Sequence, residues 1–186
     1  MKENQDLEIL EMQLQPIIDW AITNYIEEEV IPRDIGKLSQ VEDIYLSGYE
    51  LSALPDNICF LTQLAILDIS GCEIKFLPSN IGKLTNLIEL NISNNQLTSL
   101  PISTIDLANL QWFDASYNNL NQLPSNFGNL TSLNTLILSG NELSYIPEEV
   151  GQLTSNVDLE LFFENNQLAE VPSWIGALTH LNRLSL

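Results

Sequence analysis

The sequence predicts an α/β solenoid in which stacked coils each add one strand to a parallel sheet, and three observations carry that expectation. Prolines recur at Pro32, Pro55, Pro78, Pro101, Pro124 and Pro147 with five successive gaps of 23 residues, and Pro172 follows after a gap of 25. Between them, apolar residues alternate over short LxL segments, the period-2 signature of a strand with one buried face. Asparagine returns at one fixed place in the coil, at Asn95, Asn118, Asn141 and Asn166. Self-similarity at about 20 to 50 residues specifies an architecture before any local secondary structure does.

Aligned on the prolines, the clearest coil reads Leu87, Leu90, Ile92, Asn95, Leu97, Leu100 and Pro101, preceded by the spacer Ile81-Gly82-Lys83-Leu84. The LxL positions of the other coils hold Ile44 and Leu46, Leu67 and Ile69, Phe113 and Ala115, Leu136 and Leu138, and Leu161 and Phe163. No single coil can bury so many apolar side chains, so neighbours must stack. Stacked strands lie about 4.8 Å apart, whereas the bulkier outer segments need more room, which bends the stack with its sheet on the concave side. The asparagines sit where the chain leaves the strand, and a buried amide there can serve backbone groups that have lost their ladder partners. Cys72 occupies the same column, where a structural role is expected of it.

This pattern resembles the leucine-rich-repeat family in its 23-residue form with LP and IGxL elements, which occurs in bacterial proteins and in Ras-pathway-associated scaffolds. The resemblance covers about residues 31–186. It implies a right-handed superhelix with a concave parallel β-sheet of about seven strands and a role in binding another protein. Tyr49 departs from the asparagine column in the first coil, which suggests an irregular junction with what precedes it. After Pro101 the spacer lacks glycine, so a local deviation of the outer segment is expected. Two extra residues enter around Ser155-Asn156-Val157-Asp158, placed before the sixth strand.

Residues 1–30 do not repeat and read as an N-terminal helical cap, with one helical pattern at Leu7, Leu10 and Leu14 and another at Ile18, Ile22 and Tyr25. Pro16 between them suits the first turn of the second helix. Residues 31–186 form the repeats, and the last coil, ending at Leu181–Leu186, is incomplete. The open end is expected to continue in a longer protein or to be covered by another chain, including a homodimer through this C-terminal end.

The 25 acidic residues face 6 lysines and arginines, a net charge of −19 that argues against nucleic acid or an anionic membrane surface as partner and favours a protein with a basic patch. No apolar run is long enough for a signal peptide or a membrane span. The two cysteines, Cys59 and Cys72, imply neither a disulfide framework nor a metal site, so a cytoplasmic location is expected, without cofactor or metal. The only histidine, His180, has no nucleophile at a fixed separation, and no glycine-rich phosphate loop exists, so enzymatic activity is not expected.

Residues between the core leucines must point out of the sheet. One column holds Asp43, Ile66, Glu89, Trp112, Thr135, Glu160 and Arg183, and the next holds Tyr45, Asp68, Asn91, Asp114, Ile137, Phe162 and Ser185. A third is mostly serine, from Ser47 to Ser139, then Glu164. A solvated sheet has no structural need of Tyr45, Ile66, Trp112, Ile137 and Phe162, and aromatic anchors among charges make a binding surface. Together with Asp43, Asp68, Glu89, Asn91, Asp114 and Glu160 they form the expected partner-binding set, with Trp112 as its centre. The function expected is a non-catalytic protein-interaction module. The alternative is the recognition region of a larger GTPase, kinase or ubiquitin ligase, since the resemblance implies that such arrays precede those domains.

Overall fold

The computed structural model describes residues 2–153 and 158–186. Seven short strands, β1 (Asp43–Tyr45), β2 (Ile66–Asp68), β3 (Glu89–Asn91), β4 (Trp112–Asp114), β5 (Thr135–Ile137), β6 (Leu159–Phe162) and β7 (Leu181–Ser185), form one sheet in chain order. All neighbours are parallel, and Asp43, Ile66, Glu89, Trp112, Thr135, Glu160 and Arg183 stand side by side across the sheet. The middle residues of β1 to β5, Ile44, Leu67, Leu90, Phe113 and Leu136, have no solvent exposure, and neither has Leu161 of β6. Each lies in one continuous apolar core that runs the length of the array.

The outer segments are 3-10 turns, among them Asp56–Phe60, Ile81–Lys83, Ile102–Asp106, Phe127–Asn129 and Glu148–Gln152. The first coil instead carries a four-residue helix, Ile35–Leu38, whose N-cap Asp34 accepts a hydrogen bond from the Lys37 amide at 2.8 Å. The segment after Pro101 forms a five-residue 3-10 turn like Asp56–Phe60 and Glu148–Gln152, longer than the three-residue turns of the two adjacent coils, with Thr104 N–H donating to the Pro101 carbonyl as Ile58 does to Pro55. Neither Gly82 nor Gly128, at this place in the adjacent coils, has a positive φ, so the turn itself does not require glycine and Ile105 adopts it.

The asparagine ladder is present. Asn95 Nδ2 donates to the Ile69 carbonyl at 2.8 Å while its Oδ1 accepts from the Ile74 amide at 2.9 Å, and Asn118, Asn141 and Asn166 repeat the arrangement one coil further each time. Cys72 is free and buried in this column, its thiol directed at the Leu46 carbonyl at 3.3 Å. Burial pushes the other thiol, Cys59, up to about 12, which makes it a poor nucleophile. A second ladder recurs at the same 23-residue interval: Asn86 and Asn109 donate to the Thr62 and Thr85 carbonyls at 2.9 Å, and Ser132 donates to the Ala108 carbonyl at 2.8 Å.

The N-terminal segment forms one helix, α1 (Lys2–Thr23), and not two, with Pro16 inside it. Proline removes the hydrogen bond to the carbonyl four residues back. Both Pro16 and that residue, Met12, are exposed, so water can serve the carbonyl and the helix continues. The buried stripe Leu14, Ile17, Ile18 and Ala21 packs α1 on the outer segments of the first two coils, Ile35–Leu38 and Asp56–Phe60, and Asn57 Nδ2 in the second donates to the Gln13 carbonyl at 2.8 Å. The helix stops at a left-handed Tyr25, with Ile26 N–H returning to the Ala21 carbonyl and Tyr25 N–H to Ile22. Tyr49, the exception in the asparagine column, donates its hydroxyl hydrogen bond to Glu27, so the irregular position joins cap to coil. Arg33 adds bonds to the Ile26 and Ile31 carbonyls.

Of the insertion at Ser155-Asn156-Val157-Asp158, all but Asp158 lies outside the described residues. Beyond it the ladder between β6 and β7 shifts register between Leu159 and Glu160.

Candidate functional site

The first two outward columns run across the sheet as the alternation requires, and the structure gathers part of them into two clusters. Six of the eleven expected residues, Tyr45, Ile66, Asp68, Glu89, Asn91 and Trp112, line a pocket of ≈120 Å³ over β1 to β4. Trp112 is half-buried and stands in register beside Glu89, which in turn stands beside Ile66. Ile137 and Phe162 lie apart from these, in a wider pocket of ≈340 Å³ over β4 to β6. Asp43, Asp114 and Glu160 line neither.

Three of the expected binding residues also have a local task. Asp68 Oδ1 accepts from the Ser70 amide at 2.8 Å, Asn91 Oδ1 from the Ser93 amide at 3.1 Å and Asp114 Oδ1 from the Ser116 amide at 2.8 Å. Each side chain thereby closes the turn that leaves its strand. A further bond, Asn91 Nδ2 to Asp68 Oδ2 at 3.2 Å, ties neighbouring coils on the face itself. The serine column is less available than alternation alone implied, because Ser93, Ser116 and Ser139 are buried.

Burial raises the Asp114 carboxyl above its ordinary value; the hydrogen bonds from Ser116 work against that, and the charge of Asp68 adds to it. A raised native pKa means that ionised Asp114 opposes folding above that pKa, and the penalty fades as pH falls through it. Asn91 makes the same turn without a charge. Asp114→Asn is therefore expected to stabilise the protein at about pH 7 and to have no effect near pH 3, where the unfolded carboxyl is also largely protonated. Urea denaturation at the two pH values checks this, and an equal gain at both would assign the effect to something other than the charge.

Five residues outside the expected set belong with the second cluster: Ser116, Tyr117, Ser139, Glu164 and Asn165. Tyr117 has φ 53° in a column otherwise held by Gly48, Gly71, Asn94, Gly140 and Asn165, all with positive φ. A bulky residue in this conformation costs about 1–2 kcal/mol that glycine avoids. Its ring lies on Gly140, where an added Cβ would come within 2.6 Å of the Tyr117 Cδ1. Glu164 accepts a hydrogen bond from Ser139 Oγ at 2.5 Å. Burial pushes the Glu164 carboxyl up, but bonds from Ser139 and Ser185, its own backbone and the Arg183 charge outweigh it and hold the group below its ordinary value. The Arg183 guanidinium lies 4.8 Å from the centre of the Phe162 ring.

A leucine-rich-repeat family model matches residues 62–120 and a second matches residues 132–153. A solved leucine-rich-repeat protein of Leptospira interrogans superimposes with a TM-score of 0.76 at 30% identity, over 84% of this chain and 45% of that one. A chain of the BIR3–SERK2 complex from Arabidopsis thaliana matches at 30% identity with a TM-score of 0.58, over 69% of this chain and 70% of that one. The chain is a leucine-rich-repeat protein. The leucine-rich-repeat ectodomain of the Arabidopsis receptor kinase HAESA, solved with a peptide hormone ligand, is 35% identical with a TM-score of 0.66, over 77% of this chain and 25% of that one. This leucine-rich-repeat chain thus spans less than half of the Leptospira protein and a quarter of the receptor ectodomain. No curated protein matches it significantly by sequence. Among the described residues no group of three or more His, Cys, Asp and Glu could hold a metal ion, and no helix is long and apolar enough to cross a membrane.

Proposed function

We propose that this chain is a non-catalytic protein-interaction module that engages a partner on the outward face of its sheet. The observation that carries the reading is the pocket in which Trp112, Tyr45 and Ile66 meet Asp68, Glu89 and Asn91. A half-buried Trp112 and an exposed Tyr45 beside carboxylates suit a partner that brings an apolar projection ringed by basic groups. The acidic balance of the chain, −19 overall, favours the same class of partner by steering its approach. The peptide-bound receptor ectodomain among its structural relatives lends support to a protein or peptide ligand.

Because the chain spans only part of such relatives, the array is also proposed to act as the recognition region of a longer signalling protein where the gene encodes one. The binding role is common to both readings.

Trp112→Ala is expected to weaken partner binding by roughly tenfold to a hundredfold, the range of an aromatic hot spot. The check is a quantitative pull-down with wild type, Trp112→Ala and a substitution at an exposed position away from the sheet, Gln122→Ala, followed by affinity measurement on the protein retrieved. Equal affinity for wild type and Trp112→Ala overturns the assignment of this face.

A further inference from the structure

Four of the seven residues that line the second pocket, Tyr117, Ile137, Phe162 and Glu164, are places where these coils depart from their own repeat. Strands β2 to β4 end on Asp68, Asn91 and Asp114, whose side chains close the following turn, but β5 and β6 carry Ile137 and Phe162, which cannot accept that hydrogen bond. Serine fills the third column from Ser47 to Ser139 and then gives way to Glu164. The left-handed column uses glycine or asparagine everywhere except at Tyr117. Each departure gives up something that the fold prefers: a turn-closing acceptor, a small buried hydroxyl, a residue at ease with positive φ. All four converge on one cavity of ≈340 Å³.

Their combined chemistry is that of a slot for a long cationic side chain. Tyr117, Ile137 and Phe162 offer apolar and aromatic walls to an aliphatic stem, and Glu164, oriented by Ser139, offers a carboxylate to its charged end. Arg183 is not among the walls of this cavity, yet its position over Phe162 is an instance of a guanidinium resting on that ring. Across the two outward columns and the end of the third, six carboxylates, Asp43, Asp68, Glu89, Asp114, Glu160 and Glu164, face the single cation Arg183.

We propose that this second pocket receives a lysine or arginine side chain from an extended segment of the partner protein. The inference rests on the reading of the sheet face as a protein-binding surface and adds to it a spacing. The Trp112 pocket spans β1 to β4 and the Glu164 pocket β4 to β6, so their centres lie two to three strand steps apart, roughly 12 Å. An extended segment covers that span in about four residues. The partner therefore carries an apolar residue and a basic residue about four positions apart.

A phage-displayed library of random twelve-residue peptides, selected on immobilised wild type and on Glu164→Ser, Tyr117→Asn and Trp112→Ala, tests this. The first two substitutions restore what other coils carry, and thermal unfolding monitored by circular dichroism verifies that each variant is folded. Wild type is expected to enrich peptides with Lys or Arg about four positions from an apolar residue. On Glu164→Ser and Tyr117→Asn the basic preference should fall to library frequency. The best wild-type peptide should lose at least tenfold in affinity when its basic residue becomes glutamine, and much less than that on Glu164→Ser. Peptides that depend on Trp112 but keep the same basic preference on Glu164→Ser and Tyr117→Asn would overturn the pocket assignment and leave the face reading standing. Trp112-dependent peptides without a basic residue would do the same. No enrichment on wild type above blank beads would overturn both.

Discussion

Asn118→Ala lowers the free energy of unfolding by about 3 kcal/mol, seen as a fall in denaturant midpoint with little change of slope. Asn118 is buried, and its amide nitrogen donates to the Ile92 carbonyl at 2.9 Å and to the Ala115 and Ser116 carbonyls at 3.2 Å. Its Oδ1 is the acceptor for the Leu97 amide at 2.9 Å. Alanine removes both functions at once and leaves Leu97 N–H unsatisfied inside the array, where each such group costs about 1–3 kcal/mol. The same change at Asn166, which makes equivalent bonds but is only half-buried, should cost about 1 kcal/mol, because water can replace part of what is lost. Equal losses at the two positions would mean that burial does not set the strength of the ladder.

Gly82→Ala is the other large effect, with an expected loss of about 3 kcal/mol, at the upper end of overpacking costs. A Cβ on Gly82 would stand 2.1 Å from the Ser103 carbonyl oxygen and 2.8 Å from the Asp106 Cβ, so two coils would have to separate. Gly176 holds the corresponding place in the last IGxL spacer, and a Cβ there meets nothing within 4 Å. Gly176→Ala should fall within about 0.5 kcal/mol of wild type. The pair isolates coil-to-coil approach from backbone freedom, since neither residue has a positive φ. Thermal or urea unfolding of both variants decides the matter, and a loss at Gly176 as large as at Gly82 would point to chain entropy instead.

The repeat made the core legible because a buried position recurring every 23 residues is a pattern no local signal can mimic: Leu67, Leu90, Phe113 and Leu136 all sit where alternation puts them. The order of residues across the sheet followed from the same register. The number of helices before the first coil did not, because Pro16 reads as a boundary and only its exposure reveals that the broken bond can be met by solvent. Nor did the second pocket. Ile137 and Phe162 were visible as outward-pointing apolar residues, but Tyr117 lies beyond the strand, and a tyrosine carries no sequence mark of a left-handed backbone. A comparison of each coil with the others at surface positions, rather than at core ones, is the signal that would have exposed Tyr117 and Glu164 together.

Strand order that equals chain order has a consequence for how such a protein changes over generations. Every coil touches only the one before and the one after, so duplication or loss of a whole unit leaves all remaining contacts chemically as they were. The two pockets are then marks on a ruler graduated in strands. The coil of β4 gives Trp112 to the first pocket and Tyr117 to the second, so a unit inserted on either side of it would divide one pocket, and such growth is free of consequence for the face only beyond β1 or β6.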